Sequence, residues 1–529
     1  MTRSTRLLPA DPESVVLPRY GGGSLADVLP GVGVSLGVPC DAPHLVLPPA
    51  RGWVVLLVDG LGWHLLREHR SIAPYLASLV DGRDPLTTGV PSTTATSLTS
   101  LGTGLVPGRH GVVGYTTRIP GTNRTLNSLS WRHGPDPREW QPYDTALARL
   151  QARGLDVTVV NKTEFEGTGL TVASQRGVPF SAADGPEGRL ACIGAAVLAP
   201  RPMVYAYESA LDHTGHENGC RSAQWRDRLG AIDAEVAELR GALPGDVGLL
   251  VTGDHGMVDV PVDDRVELDD EPDLLADVAV LAGEARFRHV HTRATAVEAV
   301  AARWRDRLGA RALVRTRDEA LDEDWFGPVE DRVRPRIGDV LVASLGTSAV
   351  LSTRQFPVEH KMVGFHGSLT GAETLVPLLI GWLAGTSYGV MLAVGFLLGI
   401  AGASFAVSLP LASRWYPPER QGLAMGIAGA GNSGTVLSTL FAPILAARFG
   451  WHVTLALATL PVMLAFLAFS FLASDSPTQP APQTFRSVHA RTRDRGYVVV
   501  LVFLLDHVRR FSRARELSRN LLQYRVRRR

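Results

Sequence analysis

The 529-residue chain has only three cysteines, Cys40, Cys192 and Cys220. They are too few and too scattered for a disulfide framework or a cysteine-built metal site, which suits a reducing compartment. It also lacks a charge imbalance. Lys and Arg number 53 against 52 Asp and Glu, which argues against a specific nucleic-acid partner. No apolar run of secretory length occurs in MTRSTRLLPADPESVVLPRYGGG, so the first domain is expected to begin in the cytoplasm. Between Thr374 and Ser474 charge itself is scarce, with Arg414, Glu419, Arg420 and Arg448 the only formal charges. The 39 residues after Ala490, by contrast, hold 12 Arg and 3 acids.

Composition divides the chain into an N-terminal extension (1–47), a first domain (48–379), an uncharged segment (380–474) and a linker with a basic tail (475–529). In the first domain, short aliphatic runs such as WVVLLVD, LDVTVVN, MVYAYE and VGLLVTGD alternate with polar, helix-compatible stretches. That alternation predicts an α/β sandwich with a mostly parallel central sheet. Apolar residues at helical spacing predict a covering helix over Ser222–Leu243. In the third part, 385–411, 421–447 and 451–474 are each long enough to cross a hydrocarbon layer of about 30 Å. Three transmembrane spans and a lipid bilayer as partner are therefore expected. The run YVVVLVFLL in the tail is too short to span.

Acids and histidines recur where the predicted strands end: Asp59 after WVVLLV, Asp212 and His216 after MVYAYE, Asp254 and His255 after VGLLVTG, and His366 in VGFHGSLT. A parallel sheet gathers ligands at the carboxyl ends of its strands. Three carboxylates and three imidazoles suit two divalent ions, and neutral imidazole with carboxylate is the ligand chemistry of catalytic zinc. The spacing Asp212-x-x-x-His216 lets one helical turn deliver both side chains. Two ions about 4 Å apart can clamp the attacking and leaving oxygens of a phosphoryl transfer. Several hydroxyls in PSTTATSLTSLGTG, Pro91–Gly104, offer a nucleophile, activated only where a metal or base lowers its pKa. Asn161, Lys162 and Glu164 in VVNKTEFEG are polar residues after a strand with two readings, residues that reach the site and, favoured, a solvated turn, and no substrate pocket is recognisable between Gly114 and Arg201.

The order Asp59, PSTTATSLTSLGTG, Asp212-x-x-Gly-His216, Asp254-His255-Gly and His366-Gly resembles the type I phosphodiesterase and nucleotide pyrophosphatase branch of the alkaline phosphatase superfamily, over roughly residues 52–379. The resemblance implies a metal-dependent hydrolase of phosphodiester or nucleotide-like small molecules, with Thr94 the covalent nucleophile. It also implies one ion held by Asp59, Asp254 and His255, with Thr94 against it, and a second held by Asp212, His216 and His366. The mechanism the resemblance implies runs through a phosphothreonine that is then hydrolysed. Ser97 stands where these enzymes usually place an asparagine that binds a phosphoryl oxygen. A phosphomonoesterase is the alternative enzyme.

The segment from about Gly381 to Pro477 resembles the middle of the N-terminal half of nitrate/nitrite porters of the major facilitator superfamily, with WYPPERQG like the loop between their fourth and fifth helices and GAGNSG like a glycine-rich fifth-helix motif. Three spans with no arginine to pair with nitrate imply a membrane anchor, with nitrate transport the alternative function. The full chain is then a multi-pass membrane protein and the catalytic domain alone cytoplasmic. The basic tail favours the cytoplasm, which puts the enzyme domain on the other side without a leader. The two resemblances meet near residues 379–385, as a gene fusion or a faulty gene model would leave them.

Overall fold

The computed structural model describes residues 11–39, 45–80, 84–293, 295–381, 416–423, 426, 440–441, 445 and 471. The chain divides into two compact units, Met1–Met391 and Leu392–Arg529. In the second unit the described residues include a short 3-10 turn, Pro418–Arg420. The expected spans at 385–411, 421–447 and 451–474 lie almost wholly outside the described residues, among which no helix is long and apolar enough to cross a membrane.

A six-stranded sheet organises the first unit. Its strands are β1 (Gly52–Val58), β2 (Asp156–Asn161), β3 (Phe180–Ala182), β4 (Pro202–Glu208), β5 (Val247–Thr252) and β10 (Leu379–Gly381), in the order β10-β5-β1-β4-β2-β3. All neighbours pair in parallel except β10, which runs antiparallel to β5. Every residue of β1, GWVVLLV, is buried, as expected for a strand covered on both faces. Its alternation splits the core: Trp53, Val55 and Leu57 belong to one apolar cluster, and Val54, Leu56 and Val58 to the other.

Helices cover both faces. The helix Ala223–Ala242, predicted over Ser222–Leu243, is capped by Ser222 Oγ accepting from Trp225 N at 3.1 Å, and it buries Trp225, Leu229, Ile232, Val236 and Leu239 against the sheet. On the opposite face, Leu25, Val28, Leu29 and Val32 of the N-terminal segment are fully buried in the core, so much of the expected extension is part of this unit.

A second sheet is entirely antiparallel and was not anticipated. Its strands β6 (Val278–Glu284), β7 (Phe287–Thr292), β8 (Ala312–Thr316) and β9 (Val340–Ser344) lie in the order β6-β7-β9-β8, with the helix Val297–Leu308 packing Val300, Trp304 and Leu308 on them. Buried ion pairs fasten this sheet to the segment that carries His366. Arg286, in the β6–β7 turn, holds Glu373 through Nε at 3.0 Å and Nη2 at 2.5 Å, and Arg288 of β7 pairs with Glu359.

Candidate active site

The predicted residues converge at the carboxyl end of the main sheet. Asp59 follows β1. Asp212 and His216 lie one turn apart on the helix Ala210–Asn218, which follows β4, and Asp254 and His255 follow β5. His366 follows the two-residue strand Gly364–Phe365, which pairs antiparallel with Val258–Asp259. Gly60 is required where the chain leaves β1: its φ is +75°, and a Cβ there would sit 3.1 Å from Asp212 Cβ.

The contacts are close. His216 Nε2 lies 3.3 Å from Asp212 Oδ2, and His366 Nε2 lies 3.8 Å from Asp212 Oδ1. His255 Nε2 is 3.4 Å from Asp59 Oδ1 and 3.4 Å from Asp254 Oδ2. The rings of His255 and His366 stack at 3.5 Å. Each imidazole has Nδ1 on a backbone carbonyl, His216 on Gly364 at 2.8 Å, His255 on Gly256 at 3.0 Å and His366 on Ser92 at 3.0 Å. This leaves Nε2 to face the acids, as a metal-ligating histidine requires.

Whether these residues fit a metal is answered by the atoms left over. Asp59 Oδ1, Asp212 Oδ1 and Asp254 Oδ2 are buried without a hydrogen-bond partner. The ion pairs of these acids among the described residues are to histidines only. Burial, followed by the nearby charges of Asp254 and Asp212, pushes the Asp59 carboxyl well above the usual range. Burial also raises Asp254. At Asp212 burial opposes ionisation, but the facing imidazoles, His216 foremost, hold it below the ordinary value. Such a cluster lacks positive charge, and a divalent cation supplies it. Ligand atoms of Asp212, His216 and His366 lie within 4.8 Å of one another, as do those of Asp59, Asp212 and His255. The first group matches the expected set; in the second, Asp212 stands where Asp254 was expected.

Thr94 opens the helix Thr94–Thr103, with Oγ1 3.2 Å from His255 Nε2. This helix is wholly buried despite its hydroxyls. Thr99 and Thr103 donate to the carbonyls of Ala95 and Thr99 at 2.7 and 2.6 Å, which removes the cost of burying them. Gly104, at φ 65°, ends it in the left-handed conformation. Ser97 lies within this helix, 0% exposed, its hydroxyl without a partner, and it is not among the residues lining the cleft. Ser97 stands three residues, about 4.5 Å and nearly one turn, along this helix from Thr94.

A cleft of about 460 Å³ opens beside Thr94, Asp59 and Asp212. Leu98, Leu129, Phe165 and Leu170 form its apolar wall, and Asn161, Lys162 and Glu164 line it too. Of the two readings of these three, the cleft favours residues that reach the site over a solvated turn: the end of β2 is the cleft wall. The region between Gly114 and Arg201 thus holds the pocket that its sequence does not reveal. Tyr207, the penultimate residue of β4, was also missed. Its phenol donates to Asp59 Oδ2 and its ring faces the cleft, with Phe165 edge-on at 6.0 Å.

Fold and site together define an alkaline phosphatase-like α/β hydrolase. The sequence profile of the type I phosphodiesterase / nucleotide pyrophosphatase family matches residues 53–369, and the chain belongs to that family, whose members are metal-dependent hydrolases. In structure the chain is similar to murine ectonucleotide pyrophosphatase / phosphodiesterase 5, with a TM-score of 0.51 at 19% identity over 62% of this chain and 87% of that one. The human protein of the same name gives 0.50 at 18% identity, with the same coverage.

A second profile, that of the Major Facilitator Superfamily, matches residues 361–518. There the chain is 34% identical over 106 residues to the probable nitrate/nitrite transporter NarK2 of Mycobacterium tuberculosis, which is 20% of this chain and 27% of that protein. It is 38% identical over 88 residues to the probable nitrate transporter NarT of Staphylococcus aureus, 17% of this chain and 22% of that protein. The chain thus spans about a quarter of the length of the curated relatives it matches.

Proposed function

We propose that the first unit hydrolyses phosphodiester or pyrophosphate bonds of nucleotide-like small molecules, with Thr94 as nucleophile and two divalent ions, zinc by ligand chemistry. The observation that carries this reading is the Thr94 hydroxyl at the start of a helix, 3.2 Å from His255, beside six convergent donors with orphaned carboxylate oxygens. Asp59, Asp254 and His255 would hold one ion, and Asp212, His216 and His366 the other. When bound, such ions lower the pKa of an adjacent hydroxyl and neutralise phosphoryl oxygens. The N-terminal amides of the helix Thr94–Thr103 favour a phosphoryl anion at the same point. Thr94 Oγ attacks phosphorus in line, the leaving oxygen departs opposite, and water cleaves the resulting phosphothreonine.

The test uses the full chain with a chromogenic phosphodiester and the matching monoester, bound zinc being quantified. About two zinc per chain, with diester cleavage lost on chelation and in Thr94→Ala, is the expected result. A folded protein that binds no metal and cleaves neither ester refutes the reading. Cleavage of the monoester alone makes it a phosphomonoesterase.

For residues 380–474 we propose a bilayer anchor, supported by their scarcity of charge and the porter-like match. Release of the chain from membranes by alkaline carbonate would refute it; saturable nitrate uptake by proteoliposomes would favour transport instead.

A further inference from the structure

We propose that Asn161 and Lys162 form an anion-binding subsite that holds a negatively charged group of the substrate in the cleft. The inference rests on the phosphoryl-transfer reading above and goes on to the chemistry of what the cleft recognises. Asn161 is only 3% exposed, yet it lines the cleft shared by Thr94 and Asp59. Its Oδ1 accepts from the backbone N–H of Lys162 at 2.8 Å, which fixes the carboxamide and assigns its amino end. Among the described residues that amino group makes no hydrogen bond. It is a donor held in place at the cleft wall with no protein acceptor.

The next residue adds charge. Among the described residues that line the cleft, Lys162 is the one lysine or arginine, and Asp59, Asp212 and Glu164 line it as well. With Asp59 and Asp212 assigned to the metal ions, Lys162 faces Glu164 as the wall's own positive charge toward an anion. Lys162 Nζ sits 3.7 Å from Glu164 Oε1, in a pair whose side chains are 31% and 66% exposed, and 5.8 Å from the centre of the Phe165 ring. An exposed pair of this kind contributes little, so a substrate anion displaces Glu164 at small cost.

The loop that carries the two donors is anchored. Thr163 donates from its backbone N to Asp184 Oδ1 at 3.1 Å and from its hydroxyl to Asp184 Oδ2 at 2.7 Å. The subsite is therefore ordered before substrate arrives, and binding need not order it. One fixed amide donor beside one mobile ammonium suits a phosphate or carboxylate. The anion has two sources with this shared chemistry: the non-bridging oxygens of the scissile phosphoryl group, or a second anionic group on the leaving portion.

The experiment uses the full-length, metal-loaded chain and its Lys162→Met, Lys162→Arg and Asn161→Asp variants. Two aryl phosphodiesters are compared, identical except for a carboxylate on the leaving aryl group, and binding of inorganic phosphate and of the free carboxylated aryl leaving group is measured by calorimetry. Lys162→Met is expected to raise KM about tenfold with kcat nearly unchanged, and Lys162→Arg to recover most of it. A loss equal on both esters assigns the anion to the scissile group; a loss confined to the carboxylated ester assigns it to the leaving portion. Phosphate is expected to bind about tenfold more weakly to Lys162→Met and to Asn161→Asp, whose new carboxylate repels it. Unchanged affinity in both variants for phosphate and for the carboxylated aryl leaving group, with unfolding temperatures like wild type, overturns the subsite even if the protein cleaves neither ester. Failure of wild type to cleave either ester, with phosphate binding still dependent on Lys162, refutes the hydrolytic reading alone.

Discussion

The phenol of Tyr207 donates to Oδ2 of Asp59 and leaves Oδ1 of the same carboxylate buried, without a partner and 3.4 Å from His255 Nε2. One oxygen is thus held by the protein and the other presented to the cluster. Outer hydrogen bonds of this kind orient a metal ligand, and their loss typically weakens binding about 10- to 100-fold. Tyr207→Phe should lower zinc affinity by about tenfold in competition with a chelator while the fold persists. Unaltered affinity would show that Asp59 needs no support from the phenol.

Thr94→Ala should leave zinc content unchanged and reduce turnover by at least about 10³-fold, because a covalent nucleophile is not replaced by its neighbours. Thr94→Ser keeps the hydroxyl at the helix N-terminus and should retain part of the activity. Trapping a phosphorylated peptide that contains Thr94 in wild type, and not in Thr94→Ala, gives the second readout. Turnover in Thr94→Ala within about tenfold of wild type would eliminate the hydroxyl as nucleophile.

Much of this site was readable before the fold because strand-end acids are spaced by whole βα units, and parallel strands bring such ends together whatever lies between them. Asp59, Asp212 and Asp254 converge with His216 and His255 for that reason, whereas His366 arrives from the antiparallel pair at Gly364–Phe365. The cleft wall was only half readable: Asn161 ends and Lys162 follows an ordinary buried strand, and nothing local decides whether the turn faces solvent or the site. The antiparallel sheet was hidden by its own charges, since Arg288, His289 and His291 in β7 do not resemble buried strand residues until their partners are known.

Glu373 accepts from Arg286 Nε and Nη2, from Ser368 N at 3.0 Å and from Thr370 Oγ1 at 2.5 Å, with both side chains of the ion pair fully buried. Removing one partner strands the other charge in the core, which costs about 3–5 kcal/mol. Glu373→Ala should therefore lower stability in denaturant titration by that amount and loosen the segment that carries His366. A double Arg286→Met, Glu373→Met variant should be more stable than the single one, since an apolar pair leaves no charge unpaired. A loss below about 1 kcal/mol in Glu373→Ala would mean that water reaches Arg286.

Acid should destabilise the first unit through buried histidines that are not among the proposed ligands. Burial, with Arg332 and Arg336 adding to it, pushes His110 down to about 3. Burial followed by His291 does the same to His289, and burial followed by Arg118 to His291, each to about 3. In the unfolded chain these imidazoles take up protons near their ordinary value of 6.5, which the folded chain refuses. Their contribution is therefore complete above 6.5 and is lost as pH falls from there toward 3. Each imidazole withdraws up to about 1.4 kcal/mol per pH unit in that window. Denaturant titrations at about pH 7.5 and about pH 5.5 should show the fall, and His291→Gln should reduce its slope by one proton. A stability that is flat across this range would show that the folded protein protonates these histidines as readily as the unfolded chain does.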